Sequence, residues 1–177
     1  MDLQICINRR RSIRNFNNIE VSDRIITQLV EAAIYAPSWK NTQVTRYYAV
    51  KSKAIKNQIL TAVPEFNRNA VETAPVLIVS TTVKNRSGYY SEGNVDTPKG
   101  KGWQMFDCGL SNMIFTLKAA ELGLGTVIMG IYDEEKLTRL LNIPENEEVV
   151  SLISLGYYDE AAVMPKRKAA SEILKFI

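Results

Sequence analysis

The chain has 177 residues, 46% hydrophobic and 23% charged, the composition of a globular domain large enough to bury a substantial core. The net charge is only +3, with basic residues gathered at the two ends and not along an aromatic-studded stripe, which argues against a nucleic-acid partner. No apolar run reaches the about 18 residues that span a bilayer, and no basic-then-apolar leader opens the chain, so one domain over 1–177, cytoplasmic and without membrane contact, is expected.

In chain order, Asp2 is placed to cap a helix carrying Leu3, Cys6 and Ile7 on one face. At its end stands Arg9-Arg10-Arg11-Ser12-Ile13-Arg14, four guanidiniums and a hydroxyl within six residues. Arginine's planar fork bonds phosphate oxygens in pairs, so this cluster suits a doubly charged oxyanion; a solvated basic face is the plainer alternative. A second helix follows Ser22, with Ile25, Ile26, Leu29, Val30, Ala33 and Ile34 at steps of three and four, and Pro37 closes it. The exit 36–43 then carries a hydroxyl (Ser38), a ring (Trp39) and two carboxamides (Asn41, Gln43). Each carboxamide offers a donor and an acceptor, which fits the imide-like edge of a heterocycle or a ribityl chain, or an ordinary polar turn.

Residues 47–50 read as a short strand and 53–62 as a helix ending near Pro64; Asn67 follows as a carboxamide with no evident structural task. The β-branched run 75–82 marks a strand buried on both faces. From 84 to 102 the pattern dissolves into turn residues around Tyr89 and Tyr90, the longest loop and a candidate for shaping a substrate pocket. Residues 103–122 form the dominant helix, whose stripe of Trp103, Phe106, Leu110, Met113, Ile114, Leu117 and Ala120 is expected to face the core.

Gly123-Leu124-Gly125 follows a helix and precedes a strand, the reverse of a dinucleotide-binding loop, so a left-handed helix cap is expected there. A strand at 126–130, a helix at 133–142, a strand at 148–157 and a tail with Lys166-Arg167-Lys168 complete the chain. Helices and strands mix without regular alternation, so the expected class is α+β.

Cys6 and Cys108 both sit among apolar residues and read as reduced core thiols. Histidine is absent, which removes imidazole acid–base catalysis, Ser-His and Cys-His nucleophilic pairs, and histidine metal sites. Any difficult chemistry then belongs to a cofactor.

Together these motifs resemble the nitroreductase family of FMN-dependent, NAD(P)H-using oxidoreductases. Arg10-Arg11-Ser12-Ile13-Arg14-Asn15-Phe16 is similar to the family's opening, and Ala36-Pro37-Ser38-x-x-Asn41-x-Gln43 to its Ala-Pro-Ser turn. Asp107-x-Gly109-x-x-Asn112, leading into Gly123-Leu124-Gly125-Thr126, is similar to its central helix and exit, and Pro165-Lys166-Arg167-Lys168 to its basic tail. Two departures stand out: Val44-Thr45 follows the glutamine where Pro-Trp is common, and Pro165 takes the first place of a Lys-x-Arg tail.

The resemblance implies an α+β fold with a mostly antiparallel sheet flanked by helices, an obligate homodimer, and two FMN sites shared between subunits. It assigns Arg10, Arg11, Ser12, Arg14 and Arg167 to the phosphate side, with Lys166 or Lys168 assisting. Pro37, Ser38, Trp39, Asn41 and Gln43 would come from the partner subunit, Asn67 would bond the pyrimidine edge, and the backbone of Ile128, Met129 and Gly130 would face the ring near N5. The implied reaction passes hydride from NADH or NADPH by way of flavin N5 to a nitroaromatic, quinone or similar acceptor by a ping-pong route, with no catalytic side chain and no metal. A flavin carrier or sensor, or another flavin chemistry such as reductive dehalogenation or flavin fragmentation, is the alternative on the same scaffold.

Overall fold

The computed structural model describes residues 2–160 and 162–177. Four strands, β1 (Thr45–Val50), β2 (Val76–Val83), β3 (Gly125–Met129) and β4 (Glu147–Gly156), form one sheet in the order β1-β2-β4-β3 with all pairings antiparallel. The α+β expectation holds. β2 is buried along almost its whole length, and its side chains alternate between two cores. Val76 and Ile78 pack with Leu29, Phe115 and Ile153 under helices α2 (Asp23–Ala33) and α5 (Gly102–Glu121). Leu77 and Val79 pack on the other face with Ile59, Val71 and Leu137, from helices α3 (Lys53–Ile59), α4 (Glu65–Thr73) and α6 (Glu134–Leu141). The period of two along a strand is what makes the apolar run continuous when both faces are covered.

Local signals place the ends of these elements. Asp2 Oδ1 accepts the Gln4 N–H and starts α1 (Leu3–Arg9), and Ser22 Oγ accepts the Ile25 N–H to start α2. At the end of α5, Gly123 sits at φ +77°, so the helix stops in the left-handed turn expected there and β3 begins at Gly125. Both cysteines are free and buried.

Two expectations need correction. Helix α4 was not anticipated, because its buried positions are Asn67, Ala70 and Val71: the residue that opens the core-facing stripe is polar, and Pro64 caps the helix without a side-chain hydrogen bond. Lys56 fastens its far end by donating to the Ala74 carbonyl. In α5 the burial is the reverse of the expected one. Phe106 and Met113 are exposed, the rest of the expected stripe is half-buried, and the face turned to the sheet carries Gln104, Asp107, Cys108, Asn112 and Thr116 with Phe115 and Ala119. That polar face meets partners on the sheet and beyond it: the Asn112 amide donates to Ser80 Oγ (3.0 Å) and Ser151 Oγ (3.2 Å), and Gln104 Oε1 accepts the Asn85 N–H (2.6 Å).

Beyond β3 the sheet is extended by the arginine-bearing segment. Ser12 pairs in parallel with Thr126, and the Ile13 N–H donates to the Thr126 carbonyl at 2.9 Å. Gly125 permits the approach: a Cβ there would lie 2.7 Å from both Ile13 Cγ1 and Tyr158 Cδ1. Gly125→Ala is therefore expected to lower stability by about 1–3 kcal/mol through overpacking, measured by urea unfolding; an unchanged midpoint would show that Ile13 moves aside freely.

Candidate functional site

The arginines sit where the chain leaves α1 and joins the edge of β3. The buried side chain of Ile13 pins this segment, so the side chains around it are held on a fixed backbone. Arg11 Nη1 donates to the Arg10 carbonyl (2.8 Å), and Arg14 Nη1 to the Ser12 carbonyl (3.3 Å). None of Arg10, Arg11, Arg14 or Arg167 has a carboxylate within 4 Å among the described residues. Arg10 is half-buried, and its guanidinium is pushed down from its ordinary value by that burial, then by the positive charge of Arg167, then by Arg11. Arg167 comes from the opposite end of the chain, in a stretch whose Lys166 and Lys168 are exposed and also without carboxylate partners. Like charges brought together without a counter-charge make a site for an anion.

Two further features lie beside this cluster. Asn69 in α4 donates its amide to the Arg14 carbonyl (2.7 Å), and Thr73 Oγ1 accepts the Phe16 N–H (3.3 Å), so α4 is tied to the arginine segment. Two residues before Asn69, and so on another side of α4, Asn67 is 8% exposed, yet no protein group bonds its carboxamide among the described residues. Along β3, Thr126 to Gly130 covers about 13 Å at the usual strand rise. The end of this stretch is open: Ile128 is exposed, a Cβ on Gly130 would meet nothing within 4 Å, and Met129 turns its side chain into the core, leaving its backbone.

The turn at 36–43 is built differently. Lys40 (φ +46°), Asn41 (φ +55°) and Gln43 (φ +47°) are all left-handed without being glycine. Such residues persist only where their surroundings over-determine them, and they concentrate at functional sites. Here Ser38 Oγ accepts the Gln43 N–H (3.0 Å), Asp107 Oδ2 accepts the Trp39 N–H (2.8 Å), and Arg46 Nη1 donates to the Gln43 carbonyl (2.7 Å). The Trp39 ring meets Trp103 edge-on with centroids 5.1 Å apart. Pro37, Asn41 and Gln43 are left exposed, and Ser38 and Trp39 half-buried.

The structure does not bring this turn to the arginines within one chain. Thr126 pairs with Leu155 and Leu155 with Val76 at one end of the sheet, whereas Thr45, just after the turn, pairs with Thr82 and Thr82 with Glu148 at the other. Leu155 and Glu148 are about 23 Å apart along β4, and three strand spacings add about 14 Å across. The two groups of residues occupy diagonally opposite corners.

Three residues without a role in the sequence reading belong to this region. Asp107, 2% exposed, also accepts from the Ser87 hydroxyl, while Lys40 pairs with Asp96 and lies 5.1 Å from the Tyr90 ring centroid. An acid inside the longest helix, past its first turn, is the signal that marks Asp107; Lys40 and Asp96 carry none, since their pairing depends on how the loop folds. Cys108 is no nucleophile, because burial pushes its thiol up. Among the described residues no cluster of metal-ligating side chains is present, and no helix is long and apolar enough to cross a membrane.

Residues 7–157 match the model of the nitroreductase family. A protein of Archaeoglobus fulgidus whose assigned name pairs NADH dehydrogenase with NAD(P)H nitroreductase is 30% identical over 152 residues, covering 84% of this chain and 80% of its own. Among solved structures, a BluB-like flavoprotein from Clostridium difficile 630 superposes with a TM-score of 0.85 at 27% identity, covering 100% of this chain and 99% of its own. A protein from Exiguobacterium sibiricum 255-15, assigned as a nitroreductase and solved in complex with FMN, superposes with a TM-score of 0.87 at 24% identity, covering 99% and 97%. The chain belongs to the nitroreductase family.

Proposed function

We propose that the protein is an FMN-dependent oxidoreductase that draws electrons from NADH or NADPH and delivers them to a small electron-poor acceptor, a nitroaromatic or a quinone, and that it works as a homodimer with two shared sites. The charges of Arg10 and Arg167, from opposite ends of the chain and with no carboxylate within 4 Å of either among the described residues, carry this reading. A flavin phosphate brings about −1.5 to −2 charge, which matches an uncompensated arginine pair better than any neutral ligand does. FMN is the group held by the structural relative from Exiguobacterium sibiricum.

The residues present fit that group. Arg10, Arg11, Arg14 and Arg167, with the Ser12 hydroxyl and Lys166 or Lys168, would hold the phosphate. Asn67, buried and with its carboxamide unbonded among the described residues, would supply the donor and acceptor that a pyrimidine edge requires. The open backbone at Ile128, Met129 and Gly130 leaves space for a flat ring. When bound, FMN supplies the hydride-accepting chemistry that a chain without histidine lacks.

A second copy completes the site, because Pro37, Ser38, Trp39, Asn41 and Gln43 lie at the opposite corner of the sheet. The outward face of α5, with Phe106 and Met113, and the tail residues Leu174 and Phe176 are the apolar surface such a dimer would bury.

Protein purified with its cofactor is expected to be yellow and to bleach under anaerobic NADH or NADPH. Absence of flavin after reconstitution with FMN would remove the proposal, and a flavin that stays oxidised with both nicotinamides would leave a binding protein without turnover. Arg10→Ala combined with Arg14→Ala is expected to weaken FMN binding by about 100-fold or more, since each charge-assisted bond contributes about 1.5–3 kcal/mol, and to flatten its salt dependence. Unchanged affinity by fluorescence titration would show these arginines to be a solvated face.

A further inference from the structure

The 84–102 loop is fastened to the 38–43 turn at two points, through adjacent residues of the turn. Near its start, the Ser87 hydroxyl and the Trp39 N–H donate to the same oxygen, Asp107 Oδ2. Farther along, Asp96 pairs with Lys40, whose ammonium lies between the faces of Trp39 (5.6 Å) and Tyr90 (5.1 Å). Lys40, and then the Tyr90 hydroxyl, hold the Asp96 carboxyl below its ordinary value.

The tie through Asp107 is not easily given up, whereas the Lys40–Asp96 pair lies at the surface. Asp107 is 2% exposed and has no cation within 4 Å among the described residues, so its charge rests on the two donors. A buried carboxylate deprived of a donor is strongly disfavoured. Lifting the loop would take Ser87 from it, and deforming the turn would take the Trp39 N–H. The loop is itself ordered by Tyr89 pairing with Val95 and by the Asp96 N–H donating to the Gly88 carbonyl (2.9 Å), so both ties act on one unit.

The turn supplies the other requirement, a backbone held in an unfavoured shape. Three non-glycine residues are left-handed there, and a ligand engaging Asn41 and Gln43 would favour that strained form over a relaxed one.

On the reading of this turn as a cofactor-binding element, we propose that Asp107 and the Lys40–Asp96 pair are positioning groups that couple cofactor occupancy to the placement of the 84–102 loop, so that the loop closes on the acceptor side when the turn is in its ligand-engaged shape. Coupling of this kind is reciprocal, so an acceptor held under the loop would also tighten cofactor binding.

Limited trypsin digestion of the full chain tests this, because Arg86, Lys99 and Lys101 are exposed cleavage sites on the loop. In the wild type, saturating FMN is expected to slow cleavage at these sites, read by mass spectrometry, by about 5–150-fold, the range of ordinary coupling energies. In Lys40→Met and in Ser87→Ala, each of which breaks one tie, FMN should still bind but protect the loop much less. In turnover, the same variants should raise the acceptor KM more than they lower kcat. Wild type that binds FMN with no change in loop cleavage overturns the coupling alone, as does equal protection in wild type and both variants. Wild type that binds no FMN overturns the cofactor reading and the coupling with it.

Discussion

The proposed site depends on the positive charges of Arg10 and Arg167 acting on one another. Two guanidiniums from opposite ends of the chain act on one another, one of them half-buried, with no carboxylate within 4 Å of either among the described residues. Left alone, such a pair repels and loses hydration, and folding gains nothing from it. On the proposed reading it is a site that an anion completes. The local architecture serves this end: Ile13 is buried as an anchor, Gly125 clears space for it, and the parallel pairing of Ser12 with Thr126 fixes the segment against the sheet.

The second constraint is the inverted amphipathicity of α5. Turning Gln104, Asp107 and Asn112 inward lets one helix organise polar contacts across the sheet, to Ser80 and Ser151, and outward along the chain, to the 38–43 turn and the 84–102 loop. Turning Phe106 and Met113 outward leaves apolar surface for another copy. The same helix thus shapes the inside of the site and presents the surface on which the proposed dimer forms.

Much of the fold was legible in the residues. Asp2 and Ser22 announced their helices through capping, Gly123 announced a left-handed stop, and the run at 75–82 announced a doubly buried strand, because each is a local rule. What failed were inferences in which polarity had to report burial. Helix α4 hides behind Asn67, and α5 buries its polar stripe, because in both cases partners distant in sequence satisfy the polar atoms or leave them for a ligand. The site divides the same way. Its arginines, turn and basic tail were readable as motifs, whereas the ties from Asp107 to Ser87 and from Lys40 to Asp96 exist only through the folding of the loop, and the separation of the turn from the arginines follows only from strand order.

The central claim is that one cofactor site is assembled from the arginine corner of one copy and the turn of another. Subunit complementation tests it directly. One variant carries Arg10→Ala with Arg14→Ala, the other Asn41→Ala with Gln43→Ala, and FMN binding is titrated for each alone and after co-refolding the two together. The account predicts weak binding by either variant alone and recovery of wild-type affinity in a fraction of sites in the mixture, because a mixed dimer places both defects in one site and leaves the other intact. A mixture that binds FMN no better than its separate components would contradict it.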